Sequence, residues 1–221
     1  MTKNIVLYWS GGKDSAMAFQ EIATSERYSD HRITSLLTTL TAGYDRITGH
    51  GVRRELLERQ AACLGLDVVL TYIPKKSTMA QYEDVMEDAL RKLRLAGSEL
   101  AATGDIFLEK QRIAMFKNVG MKSCFPLLLR NTRDYVCDLI DRGIKAYVIC
   151  VNSAVLDQSF VGRVLDREFL NDLPFGVDPC GENGEYHTFV FDGPIFRNKV
   201  ECKLGRTVFR EGFYFCDVLP T

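Results

Sequence analysis

Between an apolar run and a run of helical periodicity the chain places Ser10-Gly11-Gly12-Lys13-Asp14-Ser15. Ile5-Val6-Leu7-Tyr8 ahead of it is short and rich in β-branched and aromatic residues, which predicts a buried strand. After it, Ala16, Met17, Phe19 and Ile22 recur at helical spacing. The reading is a strand, a tight turn and the start of a helix. Gly11 and Gly12 are expected to turn the backbone at positive φ and to let a ligand approach. Asp14 or Ser15 is expected to cap the helix, whose first N–H groups and dipole attract an anion. Lys13 adds a point charge there, so the pocket is one for phosphate.

The kind of phosphate loop follows from the spacing. A Walker loop requires a glycine five residues before Gly12-Lys13, and Leu7 stands there. A dinucleotide fingerprint, Gly-x-Gly-x-x-Gly, is absent from this turn. The hexapeptide resembles instead the PP-loop of the N-type ATP pyrophosphatases. That resemblance implies cleavage of ATP between its α and β phosphates and transfer of AMP to an oxygen of the substrate.

Downstream, strand-like runs alternate with helical ones. Strands are expected at Ile33–Leu40, Asp67–Ile73, Leu100–Thr103 and Lys145–Val151, with helices around Leu56–Leu64, Met79–Leu95, Ile113–Lys117 and Thr132–Arg142. Thr41–Gly51, with three glycines, is expected to be a loop. Without hairpin signals as far as Val151, this order predicts parallel βαβ units with helices on both faces. In such sheets ligands bind beyond the carboxyl ends of the strands, where the first loop, His50 and Asp105 fall. The last third reads differently: an amphipathic stretch, Leu156–Leu173, broken at Gly162, then a hairpin of Arg206–Arg210 and Phe213–Val218 about Glu211-Gly212. The fold class is therefore α/β with a smaller C-terminal α+β subdomain. The division expected is 1–123 for nucleotide binding and 124–221 for substrate binding.

Length and charge narrow the partners. A chain of 221 residues buries a substantial core. Its formal net charge of −1 and lack of a basic block disfavour a nonspecific hold on nucleic acid. No apolar stretch is long enough for a membrane span, and no leader is evident at Met-Thr-Lys-Asn. Seven scattered cysteines without a Cys-x-x-Cys fit reduced thiols that pack as small hydrophobes, in a cytoplasmic setting.

A second constellation is Cys180-Gly181-Glu182-Asn183-Gly184-Glu185-Tyr186-His187-Thr188. If Glu185 onward is extended, Glu185 and His187 share one face, and Glu182 bends toward it from the glycine turn. Such a group orders an ammonium ion, serves as a base, or holds magnesium. Two glutamates are poor company for structural zinc. With Phe189-Val190-Phe191-Asp192-Gly193-Pro194-Ile195-Phe196, this segment resembles the carboxy-terminal signature of the diphthine–ammonia ligase family of PP-loop enzymes, as do Gly104-Asp105-Ile106, Gln111-Arg112 and His50 in its glycine loop.

The resemblance implies a PP-loop, adenine nucleotide alpha hydrolase-like fold and an ATP-dependent ligase that adenylates a carboxylate, releases pyrophosphate and forms an amide with ammonia. It places Ser10, Gly11, Gly12, Lys13, Asp14, Ser15 and Asp105 at the nucleotide. Asp14 or Asp105 would help to hold magnesium, each being equally suited to a cap or a turn. His50, Gly104, Gln111, Arg112, Gly181, Gly184 and Thr188 would contact substrate, and Lys13, Glu182, Glu185 and His187 would carry the chemistry. The acceptor is diphthine on elongation factor 2 in an archaeal or eukaryotic setting and another, small-molecule carboxylate in a bacterial one. Rival readings are a tRNA sulfur-transfer enzyme, for which Cys180 is the candidate persulfide carrier, and a nucleotide-binding module without chemistry. The aromatic run Phe213-Tyr214-Phe215 would also suit a homo-oligomer surface.

Overall fold

The computed structural model describes residues 2–49, 51–107 and 110–221. In chain order its elements are β1 (Lys3–Tyr8), α1 (Lys13–Thr24), β2 (His31–Thr41), β3 (Arg46–Ile47), α2 (Arg54–Leu64), β4 (Asp67–Ile73), α3 (Met79–Leu95), β5 (Leu100–Ala102), α4 (Lys110–Asn118) and β6 (Lys122–Cys124). They continue with α5 (Thr132–Asp141), β7 (Lys145–Asn152), α6 (Arg167–Asp172), β8 (Tyr186–Asp192), β9 (Cys202–Arg210) and β10 (Phe213–Pro220). Two compact units result. One comprises the described residues within Met1–Ser10, Asp14–Gly49 and Gly65–Leu129, the other those within Gly11–Lys13, His50–Leu64 and Arg130–Thr221.

The first unit is a parallel sheet in the order β4-β2-β1-β5-β6. Ile5, Val6 and Leu7 of β1 are fully buried, and side chains alternate along a strand, so both faces of the sheet are covered. On one face Val6, Leu37 and Ala101 meet Met86 and Leu90 of α3 and Met115 and Phe116 of α4. Thr78 caps α3 reciprocally with Gln81, so the helix begins where its first N–H groups find a partner. The chain steps from β1 outward through β2 to β4, then crosses to β5 on the other side of β1. That reversal opens a crevice at the carboxyl ends of β1 and β5, the position at which open α/β sheets bind ligands.

The second unit carries a four-stranded antiparallel sheet in the order β8-β7-β10-β9. Here the sequence-based expectation for β7 is corrected: it pairs antiparallel with both β8 and β10 and does not extend the parallel sheet. Five of its eight residues are buried, so its apolar run looks like a central parallel strand. The hairpin of β9 and β10 turns on Glu211 and Gly212, both at positive φ (50° and 84°), the pairing preferred by two-residue hairpin loops.

Three further expectations change. Thr41–Gly51 contains β3, which folds back antiparallel on Leu40 and Thr41. β6 was not anticipated. The stretch Leu156–Leu173 is not one broken helix: a 3-10 turn at Gln158–Phe160 and the six-residue α6 flank a segment whose Gly162, Arg163 and Leu165 hydrogen-bond along β7. Among the described residues no helix is long and apolar enough to cross a membrane.

Candidate active site

The loop after β1 begins from a fixed base. Trp9, 1% exposed, donates its N–H to Leu37 O at 2.9 Å, and its carbonyl accepts from Thr38 Oγ1 at 2.6 Å. Of the two glycines only Gly11 takes positive φ (76°). A Cβ on Gly11 would come within 2.7 Å of Gln60 Oε1, so glycine is required there twice over. Helix α1 starts at Lys13, two or three residues earlier than a cap at Asp14 or Ser15 would give, so those two side chains sit inside its first turn. The Ser10 and Ser15 hydroxyls lie 3.4 Å apart.

Gly11–Lys13 is built into the second unit by backbone bonds. Gly11 O accepts from Val190 N at 2.9 Å, on the edge strand β8, and from Gln60 Nε2 at 3.0 Å. The same Nε2 donates to Val190 O at 2.6 Å. Lys13 N–H, one of the donors that a helix start leaves without an intrahelical partner, is satisfied by Thr188 Oγ1 at 3.0 Å. Thr188 thus serves as a helix cap supplied by a strand. The Lys13 side chain is 5% exposed, with Nζ 3.6 Å from Glu182 Oε1 and 5.9 Å from the centre of the Tyr186 ring. A buried ammonium of this kind needs a paired charge, and Glu182 supplies it.

Two other carboxylates hold Glu182 in place. Asp178 Oδ1 accepts from Cys180 N (2.8 Å) and Glu182 N (3.3 Å), while its Oδ2 accepts from Thr132 Oγ1 (2.7 Å). Glu185, 5% exposed, accepts from Asp178 N (3.1 Å), Asn183 N (2.8 Å) and Asn183 Nδ2 (3.1 Å). Its carboxylate thereby gathers the turn's donors. Gly181 (φ 74°) packs its Cα face on Tyr186, where a Cβ would meet the ring at 3.0 Å, and Gly184 (φ 81°) closes the turn. Tyr186 OH donates to Pro179 O at 2.7 Å. Along β8 side chains alternate, so Tyr186 and Thr188 share the face that meets Lys13, and His187 falls on the opposite face.

In the first unit a Cβ on Gly104 would lie 2.6 Å from the Asp14 backbone, so this glycine permits the loop after β5 to close on the first turn of α1. Asp105 Oδ2 accepts from Thr103 Oγ1 (2.8 Å) and from Arg112 Nε (2.9 Å). The guanidinium of Arg112 lies 5.6 Å from the Tyr8 ring centre, and burial, with Tyr82 close by, pushes the Tyr8 phenol upward. Gln111 and Arg112 line a cavity of about 350 Å³ between the starts of α3 and α4. His50 lies outside the described residues.

Sequence reasoning missed Gln60 and Asp178. Gln60 is fully buried within the apolar stripe of α2 (Leu56, Leu57, Ala61, Leu64), and a polar residue on a buried stripe was the available signal. Asp178 precedes Pro179, a pairing that initiates turns. Cys180 is fully buried, and burial pushes the Cys150 and Cys202 thiols up to about 12 and about 11, values that suit packing better than thiolate chemistry.

Comparison with known proteins gives two matches that together span most of the chain. The family described as diphthamide synthase, N-terminal domain, matches residues 2–123, and the diphthamide synthase C-terminal domain matches residues 131–219. A Homo sapiens protein named diphthine–ammonia ligase is 27% identical over 234 residues, covering 95% of this chain and 86% of that one. Its Bos taurus namesake is 28% identical over 216 residues (86% and 79%). Among solved structures, a predicted tRNA methyltransferase subunit from Methanocaldococcus jannaschii aligns at 14% identity over 66% of this chain and 78% of that one, with a TM-score of 0.42.

Proposed function

From a chain that belongs to the diphthamide synthase family, we infer an ATP-dependent ligase that adenylates a substrate carboxylate, releases pyrophosphate and forms an amide with ammonia. The relatives named diphthine–ammonia ligase support the amidation. The observation that carries the reading is the meeting of the chain's two signature segments at Lys13: its N–H on Thr188, its Nζ beside Glu182.

In this reading residues 1–123 supply the nucleotide site and 124–221 the substrate site, while Gly11–Lys13 and α2 fall in one compact unit with residues 130–221. A carboxylate oxygen attacks the α-phosphorus in line, the bond to the bridging oxygen breaks, and pyrophosphate leaves. The charge that develops on it is met by N–H groups at the start of α1 and by Lys13, donors held in place before the reaction. The residues present fit a phosphate tail: a positive-φ glycine, a helix start and a buried lysine. Magnesium would neutralise the phosphates, and Asp14 and Asp105 are the carboxylates that would hold it, Asp105 also accepting from Thr103 and Arg112. Neutral ammonia then attacks the acyl carbon, AMP departs, and Glu182 takes the surplus proton. Glu185 and Asp178 keep Glu182 in register. The buried Cys180 counts against persulfide transfer.

Incubation with ATP, magnesium, ammonium and candidate carboxylates tests the proposal. AMP and pyrophosphate should form in a carboxylate-dependent manner and fail to form in Lys13→Ala. Release of ADP in place of AMP would overturn it.

A further inference from the structure

The two-residue β3 aside, the two sheets end in four strands, each with a row of backbone N–H and C=O groups that a further strand could pair with. Three of these edges are blunted. β8 is met by the backbone of Gly11. β9 carries Lys203, Arg206 and Arg210, all exposed. β6 has only three residues and opens with Lys122. β4 is different: it runs for seven residues, and from Val68 to Ile73 it has neither a charge nor a proline.

The pairing of β4 with β2 shows which of its groups face outward. Ile73 O accepts from Ala42 N, just beyond β2, at 2.9 Å, so Ile73 turns its N–H and C=O to β2, and with it Thr71 and Val69. Val68, Leu70 and Tyr72 therefore turn theirs to the open side. Their side chains share the face opposite Val69, which packs on the core of α3 and α4. Val68 and Leu70 are half-buried and Tyr72 is 42% exposed. The ends of this edge carry opposite charge. Asp67 opens it and Lys75 follows it, both exposed and neither in an ion pair with a described residue. The Lys75 ammonium rests 3.5 Å from the centre of the Tyr44 ring, which keeps it at the carboxyl end of the strand.

We propose that β4 pairs antiparallel with β4 of a second copy of this chain, about a two-fold axis at Leu70. The charges select this direction: Asp67 of each copy falls opposite the other's Ile73 and diagonal to its Lys75, twice over by symmetry, whereas parallel pairing would set like charges side by side. In this register Val68 lies opposite Tyr72 and Leu70 opposite Leu70, an apolar ladder on one face, and these residues exchange about six backbone hydrogen bonds across the axis. A slip of two residues toward the carboxyl end would set Val68 against Pro74, which has no N–H to give. Each copy has one such edge, so the assembly closes at two. The inference goes beyond the ligase reading and does not depend on it.

Sedimentation velocity of the full chain, from about 1 to 300 µM, tests it; one strand pair with a short apolar ladder is a small interface and predicts a dissociation constant on the order of tens of micromolar. The mass should rise toward twice the 25.0 kDa of the chain and stop there. Asp67→Lys and Lys75→Asp, both at exposed positions, should each weaken the dimer about tenfold, and the double variant should recover most of the loss. Amide hydrogen exchange should slow at Val68 and Leu70 as concentration rises and stay unchanged at Val69 and Thr71, which already bond to β2. The proposal is overturned by a monomer throughout that range, by growth beyond two copies, by a dimer that neither charge reversal weakens, or by protection that does not alternate along β4.

Discussion

Gln60 is the side chain on which the loop geometry can be tested without touching a group that meets ligand. It is fully buried, and its single Nε2 donates to Gly11 O at 3.0 Å and to Val190 O at 2.6 Å. Gln60→Leu keeps the volume and removes both donations. Gly11 O keeps the Val190 N–H at 2.9 Å, so its loss is the ordinary net value of a hydrogen bond, about 1 kcal/mol. Val190 O loses its Gln60 donor within the core, which costs about 1–3 kcal/mol. The sum, about 2–4 kcal/mol, corresponds to a fall in Tm of roughly 5–15 °C for a protein of this size. Gln60→Glu sharpens the test, because at neutral pH it sets a carboxylate against two carbonyl oxygens. Calorimetric unfolding should rank wild type above Gln60→Leu and Gln60→Leu above Gln60→Glu, with ATP affinity falling in the same order as Gly11 loses its anchor. A Gln60→Leu protein that melts with wild type, or a Gln60→Glu protein at least as stable as it, would show that Nε2 donation does not hold the loop.

Thr188→Val should lower stability by about 1 kcal/mol by leaving the Lys13 N–H without its cap, and Thr188→Ser should restore most of that in a urea titration. Glu185→Gln sets an amide NH₂ among three N–H donors and should cost about 1–3 kcal/mol by thermal unfolding; unchanged stability with amide formation lost would return a chemical role to Glu185. The Lys145 ammonium, 2.8 Å from Asp192, holds that carboxyl below the usual range. A lowered folded pKa gives stability that is present above the unfolded value, near pH 4, and is lost as pH falls through the folded one. Asp192→Asn should therefore flatten the acid side of a Tm-against-pH curve and leave its slope at neutral pH unchanged.

What was legible in the sequence is what local forces decide. β4 and α3 occur at the residues expected of them: Pro74 follows the strand, and the capping box found in the structure starts the helix. The strand–turn–helix at Ser10–Ser15 was readable for the same reason. β3 and β6 have two and three residues, too few for any period to show. The assignment of β7 to the parallel sheet failed because burial on both faces gives the same apolar run in either kind of sheet. At the site, Glu182 was legible as a carboxylate on a glycine turn. That Glu185, three residues on, turns inward could not be read, because it depends on where Asp178 and Asn183 present their N–H groups.

The least legible relation is also the one with most consequence. β8 is the edge of its sheet, and an edge strand has N–H and C=O groups that need a partner. At Val190 that partner is the backbone of Gly11, reinforced by Gln60, and two residues earlier Thr188 caps Lys13. A phosphate loop must hold its N–H groups toward the ligand, so its carbonyls need donor partners elsewhere. Here one requirement answers the other: the strand edge satisfies the loop's carbonyl, and the loop closes the strand edge. Because β8 begins at the Glu182–Glu185 turn, the position of Glu182 relative to Lys13 is then set by strand register, which moves only in steps that would flip every side chain of β8 to the other face. The pairing of the lysine and the glutamate is for that reason a property of the fold, fixed before any nucleotide arrives.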